Sequence, residues 1–307
     1  MFRQLFEFDP VRYVKETKEA TRWIRHRIKA GGYEDFRPAV ALILGSGLDD
    51  VAGLIKRILV LDYRDIPYFP VPTTDGHAGE MIIGTLEGVP IIGLSGRRHY
   101  YEVAHKVHGI AEVVFPVHVM ANLGVELYIG TNAVGALNPN FKVGDMVLVK
   151  SHRNLNIPNP LAGPHLNFGD NVRFQPQTNN DMYQPEFRSM FRKAARDAYV
   201  EHTVQDGFYA ALTGPTYESR AEARELMERK YDIVGMSLAP EVVVAANRNL
   251  GTLGVSVVTN VIDGNGENPA SHEEVKRAVR SIEVRSRIWS AFKGFFKLYA
   301  QRRFFVS

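Results

Sequence analysis

The feature that most constrains the fold is a series of short apolar runs, each bounded by glycine, proline or polar residues. Six of them are clear, at 39–44, 89–94, 125–130, 146–149, 207–212 and 254–259. Short apolar runs of this kind are typical of strands that are covered on both faces of a sheet. Helical patterns separate them, at about 105–122, 181–201, 218–229, 239–249 and 271–299. The alternation predicts an α/β fold with a largely parallel or mixed sheet flanked by helices.

The chain gives no sign of a boundary between domains. No Ser/Gly linker, charge block or repeat of fixed period interrupts its 307 residues. We therefore expect a single domain over residues 1–307, with an N-terminal helix within 1–35 and a C-terminal helix within 271–307. Asp9-Pro10 predicts the start of the first helix, as an N-cap followed by proline, and Gly31-Gly32 predicts its end.

One segment breaks the alternation of strands and helices. Residues 151–180 are rich in proline, asparagine and glycine. A structureless stretch of this length inside a compact domain is usually functional or interfacial. The sequence therefore predicts a long irregular excursion with a role in a site or an interface.

Composition excludes several classes of protein. There are 37 Lys+Arg against 34 Asp+Glu, a formal net charge of +3, which argues against binding to nucleic acid through bulk charge. The chain has no cysteine, so disulfides, thiolate metal sites and cysteine nucleophiles are excluded. No secretory signal and no membrane-spanning stretch is visible, and we expect a cytoplasmic protein with neither nucleic-acid nor membrane partners.

The last helical pattern is strongly basic. Residues 276–303 carry nine Lys/Arg and one acid, Glu283. This could be a stripe that binds nucleic acid or membrane. We favour a solvated outer face around an apolar seam, which would consist of Val279, Ile282, Ile288, Phe292 and Phe295.

Chemistry-bearing residues cluster where the apolar runs end, which is where α/β sheets place ligands. Gly45-Ser46-Gly47 could bind an anion or be a plain strand-to-helix turn. Arg97 and His99 are separated by one residue, so an extended backbone would place their guanidinium and imidazole on the same face. An oxyanion clamp needs these two groups side by side. The two could equally be ordinary surface residues at a strand end. Residues 131–139 (TNAVGALNP) read as a loop that lets the backbone approach a ligand, or as a tight turn.

The last third of the chain adds an aromatic–carboxylate pair. Tyr217-Glu218 offers a stacking face beside a hydrogen-bond acceptor, the combination that recognition of a heterocyclic base requires. Glu218 could instead be the acidic residue of a helix's first turn, and Met236 could be core filler. Asn260 and His272 follow the last apolar run.

Taken together, these segments closely resemble the trimeric, inosine- and guanosine-cleaving type of purine nucleoside phosphorylase. The resemblance runs in order from about Ala41 to His272 through GSGL (45–48), GHAG (76–79), GRRHYYE (96–102), TNAVGALNP (131–139), NFGD (167–170), GPTYES (214–219), VGMSLAPE (234–241) and TN (259–260). It implies a partly barrel-like mixed sheet and phosphorolysis. A purine ribonucleoside or deoxyribonucleoside and phosphate would give the free base and the sugar 1-phosphate, with no metal or cofactor.

The resemblance also implies residue roles. Phosphate would be held by Ser46, Arg97, His99, the backbone at Ala133, and Ser237, and His77 would cover that site as a gate or general base. Tyr101 and Met236 would contact the ribose, and His272 its 5′-hydroxyl. Tyr217 would stack near the base, Glu218 would accept the purine N1–H, and Asn260 would bridge N7 and O6. The residues with catalytic roles would be His77, His99, Glu218 and Asn260.

Phe168 matches the family's aromatic residue that reaches from one subunit over the ribose of its neighbour, which implies a homotrimer. Three alternatives stay open. The chain could prefer xanthosine, could act on methylthioinosine or methylthioadenosine, or could be a non-catalytic nucleoside-binding relative. Asn260 together with Glu218 favours 6-oxopurines, because the relatives that prefer 6-aminopurines have Asp in place of this Asn.

Overall fold

The computed structural model describes residues 8–45, 48–74, 76–164, 166–168, 182–263, 265 and 281–306, without the side chains of Asp49 and of residues 304–306. Within these ranges the helices are α1 (Pro10–Ala30), α2 (Tyr100–Val103), α3 (Gly109–Leu123), α4 (Pro185–Asp197), α5 (Arg220–Glu228), α6 (Ala239–Asn247) and α7 (Ile282–Val306). The strands are β1 (Val40–Leu44), β2 (Lys56–Asp62), β3 (Glu80–Leu86), β4 (Val89–Ser95), β5 (Leu127–Ala136), β6 (Met146–Asn154), β7 (Val204–Ala211), β8 (Ile233–Gly235) and β9 (Gly251–Val261).

The strands form one mixed sheet in the order β2-β3-β4-β1-β5-β8-β7-β6-β9. β1 pairs in parallel with β4 and β5, whereas β2, β3 and β4 form antiparallel pairs. β9 pairs with β6 and also with β5, so the strands β5, β8, β7, β6 and β9 close into a ring. The predicted mixed, partly barrel-like sheet is therefore confirmed.

The core lies on both faces of this sheet. Along β1, Val40, Leu42 and Leu44 pack into one cluster, with the aromatic residues of α4 and α7. Ala41 and Ile43, which point to the opposite face, pack into a second cluster with α1 and α3. Burial on both faces explains why the strand sequences are continuously apolar.

The first helix begins as predicted. The side chain of Asp9 accepts hydrogen bonds from the backbone N–H groups of Val11 and Arg12, and Pro10 is the first helical residue. Removing such a cap costs about 1 kcal/mol. Five residues that recur at three- and four-residue intervals along this helix are all buried: Val14, Thr17, Thr21, Ile24 and Ile28.

Three sequence predictions need correction. The strands β2, β3 and β8 were not predicted, because their apolar runs are short or interrupted by charged residues. Residues 131–136 are strand rather than loop, since they stay paired with β9 as β5 continues. The irregular excursion begins at residue 155, because residues 151–154 still belong to β6. From there, 155–164 and 166–168 contain no helix or strand, and its remainder lies outside the described residues.

Three arginines of the basic C-terminal helix form ion pairs with acids elsewhere in the same chain. Arg285 pairs with Asp50 at 2.9 Å, Arg302 with Glu186 at 2.9 Å and Arg303 with Glu126 at 3.2 Å. The predicted seam holds for Ile288, Phe292 and Phe295, which are buried. It is wrong for Ile282, which is 85% exposed at the first position of the helix, and Val279 lies outside the described residues. No helix in the described ranges is long and apolar enough to cross a membrane.

Candidate active site

A pocket of about 120 Å³ lies at the carboxyl ends of the central strands. The segments after β4, β7 and β8 and the last residues of β5 and β9 converge on it. Most of the predicted site residues line it together: Arg97, His99, Tyr101, Ala133, Tyr217, Glu218, Met236, Ser237 and Asn260. These residues belong to five segments of the chain. The first and the last of them, Arg97 and Asn260, are 163 positions apart in the sequence and share one cavity.

At one end of the pocket, Arg97 is 5% exposed and held from within the protein. Its Nη2 donates a hydrogen bond to the carbonyl oxygen of Thr131 at 2.5 Å. Its Nη1 lies 3.3 Å from Oε2 of the buried Glu241, an ion pair that is not aligned as a hydrogen bond. The Nε atom makes no hydrogen bond within the described part of the chain. A buried guanidinium with such a donor in a pocket suits an anion.

Next to Arg97, three aromatic rings stack. The ring of His99 lies 5.2 Å from that of His77 and 5.0 Å from that of Tyr101. Gly96 has φ +98°, and a Cβ there would collide with His77 at 2.6 Å, so only glycine allows this close packing. The alternation of Arg97 and His99 does place both on the pocket wall, as predicted.

Glu102 fixes the imidazole of His99, and the backbone N–H of Arg97 donates to Nδ1 of His77 at 3.1 Å. Glu102 accepts from the backbone N–H of His99 at 2.6 Å, lies 3.1 Å from its Nδ1, and accepts from the backbone N–H of Thr73 at 2.7 Å. Burial would raise the pKa of Glu102, but the hydrogen bonds from His99 and Thr73 outweigh it and hold the pKa well below its usual range. Burial, and then the nearby charge of His99, lowers the pKa of His77 to about 4. His77 is therefore neutral at pH 7.

Ser237 and the end of β5 are joined by a buried tyrosine. The hydroxyl of Tyr209 accepts from the backbone N–H of Ser237 at 3.2 Å and donates to the carbonyl oxygen of Ser237 at 3.0 Å. The side-chain amide of Asn132 donates to the same hydroxyl at 3.3 Å, and Ser256 donates to Asn132 at 2.7 Å. This network fixes the backbone of both segments that border the pocket.

Tyr217, Glu218 and Asn260 line the same pocket. Burial, and then the carboxylate of Glu222, raises the pKa of Glu218. The hydroxyl of Thr259 donates to Oδ1 of Asn260 at 3.0 Å, which orients the amide. A Cβ at Gly135 would come within 3.1 Å of Nδ2 of Asn260, so this glycine makes room for the amide.

Some predicted site residues are not brought to this pocket. His77 contacts His99 and Arg97 but does not line the cavity itself. Phe168 borders a separate cavity of about 330 Å³, where its ring lies 3.9 Å from the guanidinium of Arg248 and 4.7 Å from the ring of His118. Ser46 and His272 lie outside the described residues.

Sequence reasoning missed several residues that shape the pocket. Thr74 lines it, and its hydroxyl lies 3.1 Å from that of Tyr101. Tyr209 and Glu241 support it from behind. Tyr209 lies in an apolar run, which predicts a residue of the core. Glu241 is the last residue of the VGMSLAPE motif (234–241), so the motif contained a signal for it. Among the described residues, no cluster of three or more His, Asp or Glu side chains could hold a metal ion.

Comparisons with known proteins show the family to which the chain is similar. A family model described as the phosphorylase superfamily matches residues 39–288. The chain is 42% identical over 248 residues to purine nucleoside phosphorylase 1 of Bacillus subtilis strain 168, covering 80% of this chain and 88% of that protein. It is 39% identical over 263 residues to the purine nucleoside phosphorylase of Mus musculus, covering 82% and 88%.

Solved structures give the same result. The crystal structure of Schistosoma mansoni purine nucleoside phosphorylase in complex with adenosine superposes with a TM-score of 0.77 at 32% identity, covering 90% of this chain and 96% of that one. A schistosome purine nucleoside phosphorylase in complex with hypoxanthine gives a TM-score of 0.79 at 30% identity, covering 92% and 96%.

Proposed function

This chain belongs to the purine nucleoside phosphorylases of the phosphorylase superfamily, and we propose that it cleaves inosine and guanosine with phosphate. The products are the free purine and ribose 1-phosphate, or the deoxyribose ester from a deoxyribonucleoside. One observation carries the proposal: a single pocket is lined by a buried guanidinium, an imidazole, a carboxylate and an amide. We assign the first two to a phosphate end and the last two to a base end.

Arg97, His99 and Ser237 support the placement of phosphate at the first end. A guanidinium presents several N–H donors in a plane, which match the oxygens of phosphate. Backbone N–H groups near Ala133 and at Ser237, together with Ser46, complete the proposed donor set. His77, which is neutral at pH 7, is proposed to cover this end as a gate or general base.

The other end supports the departing purine. As the bond between C1′ and N9 breaks, its electron pair moves onto the base, and a phosphate oxygen forms the new bond to C1′. Asn260 stabilises the negative charge at N7 and O6, and Glu218 accepts the purine N1–H. Because both groups lie in a partly closed pocket, their hydrogen bonds are stronger than in water. Tyr217 stacks near the base.

The sugar would lie between the two ends. Tyr101 and Met236 line that part of the pocket, and His272 is proposed to reach the 5′-hydroxyl. Phe168 does not line the pocket of its own chain. Its proposed place over the ribose of a neighbouring subunit, in a homotrimer, is consistent with that position. We further propose that residues 1–307 act as one domain in the cytoplasm, with phosphate as co-substrate and no metal or other cofactor.

The preferred base follows from Asn260 and Glu218, which suit a 6-oxopurine. The schistosome relative has been solved with adenosine and with hypoxanthine, so its bound ligands include both a 6-amino and a 6-oxo compound. Cleavage rates measured with this protein are therefore needed to distinguish a preference for inosine and guanosine from one for xanthosine, methylthioinosine or methylthioadenosine.

The decisive experiment measures release of hypoxanthine from inosine at increasing phosphate concentration. We expect release that saturates with phosphate, with inosine and guanosine faster than xanthosine, adenosine and methylthioinosine. Cleavage without phosphate would instead identify a hydrolase, and no cleavage of any of these nucleosides would identify a binding protein. A fully active monomer in light scattering would contradict the proposed role of Phe168.

A further inference from the structure

Glu241 is a buried carboxylate beside the pocket to which the proposed chemistry assigns no role. It is the third residue of α6 and follows Ser237 by four positions. It is 3% exposed, and a carboxylate in such a place is costly unless it is paired. Burial raises the pKa of Glu241, and the charge of Arg97 acts in the opposite direction.

The carboxylate of Glu241 joins three parts of the structure. The hydroxyl of Tyr128 on β5 and the backbone N–H of Leu238, the residue before α6, both act to lower the pKa of Glu241, as donors directed at a carboxylate do. The Oε2 atom of Glu241 makes no hydrogen bond within the described part of the chain and lies 3.3 Å from Nη1 of Arg97. The contact with Leu238 is that of a helix cap, whereas the contact with Arg97 is not needed for capping.

The guanidinium of Arg97 is thus held at two of its three nitrogens. Thr131 accepts from Nη2, and Glu241 faces Nη1. Because the guanidinium is planar and rigid, fixing two nitrogens also fixes the direction of the third. That third nitrogen is Nε, which makes no hydrogen bond to the described chain.

We propose that Glu241 is a positioning residue for phosphate, whose ion pair with Arg97 holds the guanidinium in the orientation that the phosphate position requires. The inference rests on the proposed function. Glu241 also opposes the charge of phosphate, so its positional and electrostatic effects on phosphate affinity have opposite signs. Removing only the opposing charge would strengthen phosphate binding, whereas releasing the guanidinium would weaken it.

Two substitutions separate these effects. Glu241→Asp keeps the charge but is one methylene shorter, so it can stay on Leu238 only by withdrawing from Arg97. Glu241→Gln keeps the length but has one acceptor oxygen, which cannot serve both Leu238 and Arg97. We expect both variants to raise the KM for phosphate about tenfold and to leave the KM for inosine within about twofold. Calorimetric titration with phosphate alone should show the same loss of affinity.

A double-mutant cycle tests whether Glu241 acts through Arg97. In an Arg97→Met background, Glu241→Gln should change kcat/KM for phosphate by less than about twofold, because no guanidinium remains to be positioned. Glu112→Gln is the matched control: Glu112 also lies in the first turn of a helix and pairs with an arginine, Arg98 at 3.5 Å, away from the pocket. It should leave both KM values unchanged.

Three outcomes would overturn the inference. An unchanged or lower KM for phosphate in Glu241→Gln would mean that the carboxylate only offsets charge. Equal changes in the KM for phosphate and the KM for inosine would mean that Glu241 only caps α6. The same conclusion would follow if Glu241→Gln lowered kcat/KM for phosphate as much in the Arg97→Met background as in the unaltered protein. Cleavage by the unaltered protein that does not depend on phosphate would refute the proposed function itself, which the first two results would leave intact.

Discussion

The two ends of the pocket are built differently. At the Arg97 end, Arg97 and His99 are 5% and 9% exposed and are tied to Thr131, Glu241 and Glu102. At the Tyr217 end, Tyr217 is 41% exposed and stands on the segment between β7 and α5. The first end is therefore preorganised before any ligand arrives, whereas at the second end Asn260 is held by Thr259 and the exposed Tyr217 can adjust. We infer that anion binding is the invariant part of the chemistry and that base preference is the adjustable part.

The largest expected effect is at the Arg97 end. Arg97→Met removes the only guanidinium that lines the pocket among the described residues. Turnover at fixed phosphate should fall about a thousandfold, mainly through the KM for phosphate. Steady-state rates at varied phosphate would measure this.

Folding must be checked in that variant, because Glu241 is left buried without its partner. Arg97→Lys keeps the charge and should show an intermediate loss. Arg98→Met, at the next position but paired with Glu112, is the control. A loss of less than tenfold in a folded Arg97→Met protein would show that the preorganised end is not where phosphate binds.

At the Tyr217 end, Glu218→Gln should lower kcat/KM for inosine about a hundredfold, because an amide cannot accept the N1–H as strongly as a carboxylate. The KM for phosphate should stay within about threefold if the two ends act independently. Glu225→Gln, on α5 and paired with the exposed Arg229 at 2.9 Å, is the control. A large rise in the KM for phosphate would show that the ends are coupled.

A smaller effect should come from Asn260→Asp, which tests the adjustable base preference. A carboxylate at this position can accept from a 6-amino group, so the ratio of adenosine to inosine cleavage should rise about tenfold. Rates on the two nucleosides at saturating phosphate give this ratio. The matched change Asn132→Asp, at another amide of the pocket, tests whether any new carboxylate has the same effect. An unchanged ratio in Asn260→Asp would contradict the assignment of Asn260.

The smallest effect concerns stability at the Arg97 end. The pKa of His77 is about 4 in the folded protein against 6.5 for an ordinary histidine, so the unfolded chain binds more protons between these values. Its contribution to stability is present above pH 6.5 and is lost as the pH falls toward 4. At pH 5, His77→Gln should take up about one proton less on unfolding, seen as a shallower dependence of the unfolding free energy on pH. The exposed His26→Gln should keep the full slope, and an equal slope in His77→Gln would refute the assignment.

Elements with a local signal were predicted well. Asp9-Pro10 marks the start of α1, and a cap needs only neighbouring residues to form. The continuously apolar strands, β1 among them, were recognised because both faces of the sheet are covered. β8 was missed because its three residues become a strand only through pairing with β5 and β7. The same pairing with β9 keeps 131–136 in a strand despite its loop-like composition.

The sequence by itself determined the α/β class, the motifs, and the residue types that phosphate and a purine require. These depend on neighbours along the chain, on periodicity and on side-chain chemistry. Only the tertiary structure decided that Arg97, Ser237 and Asn260 share one pocket, that Tyr209 and Glu241 support it, and that Phe168 lies elsewhere. The physical reason is that burial, ion pairs and donor directions arise between residues far apart in the chain, and strand pairing alone brings them together.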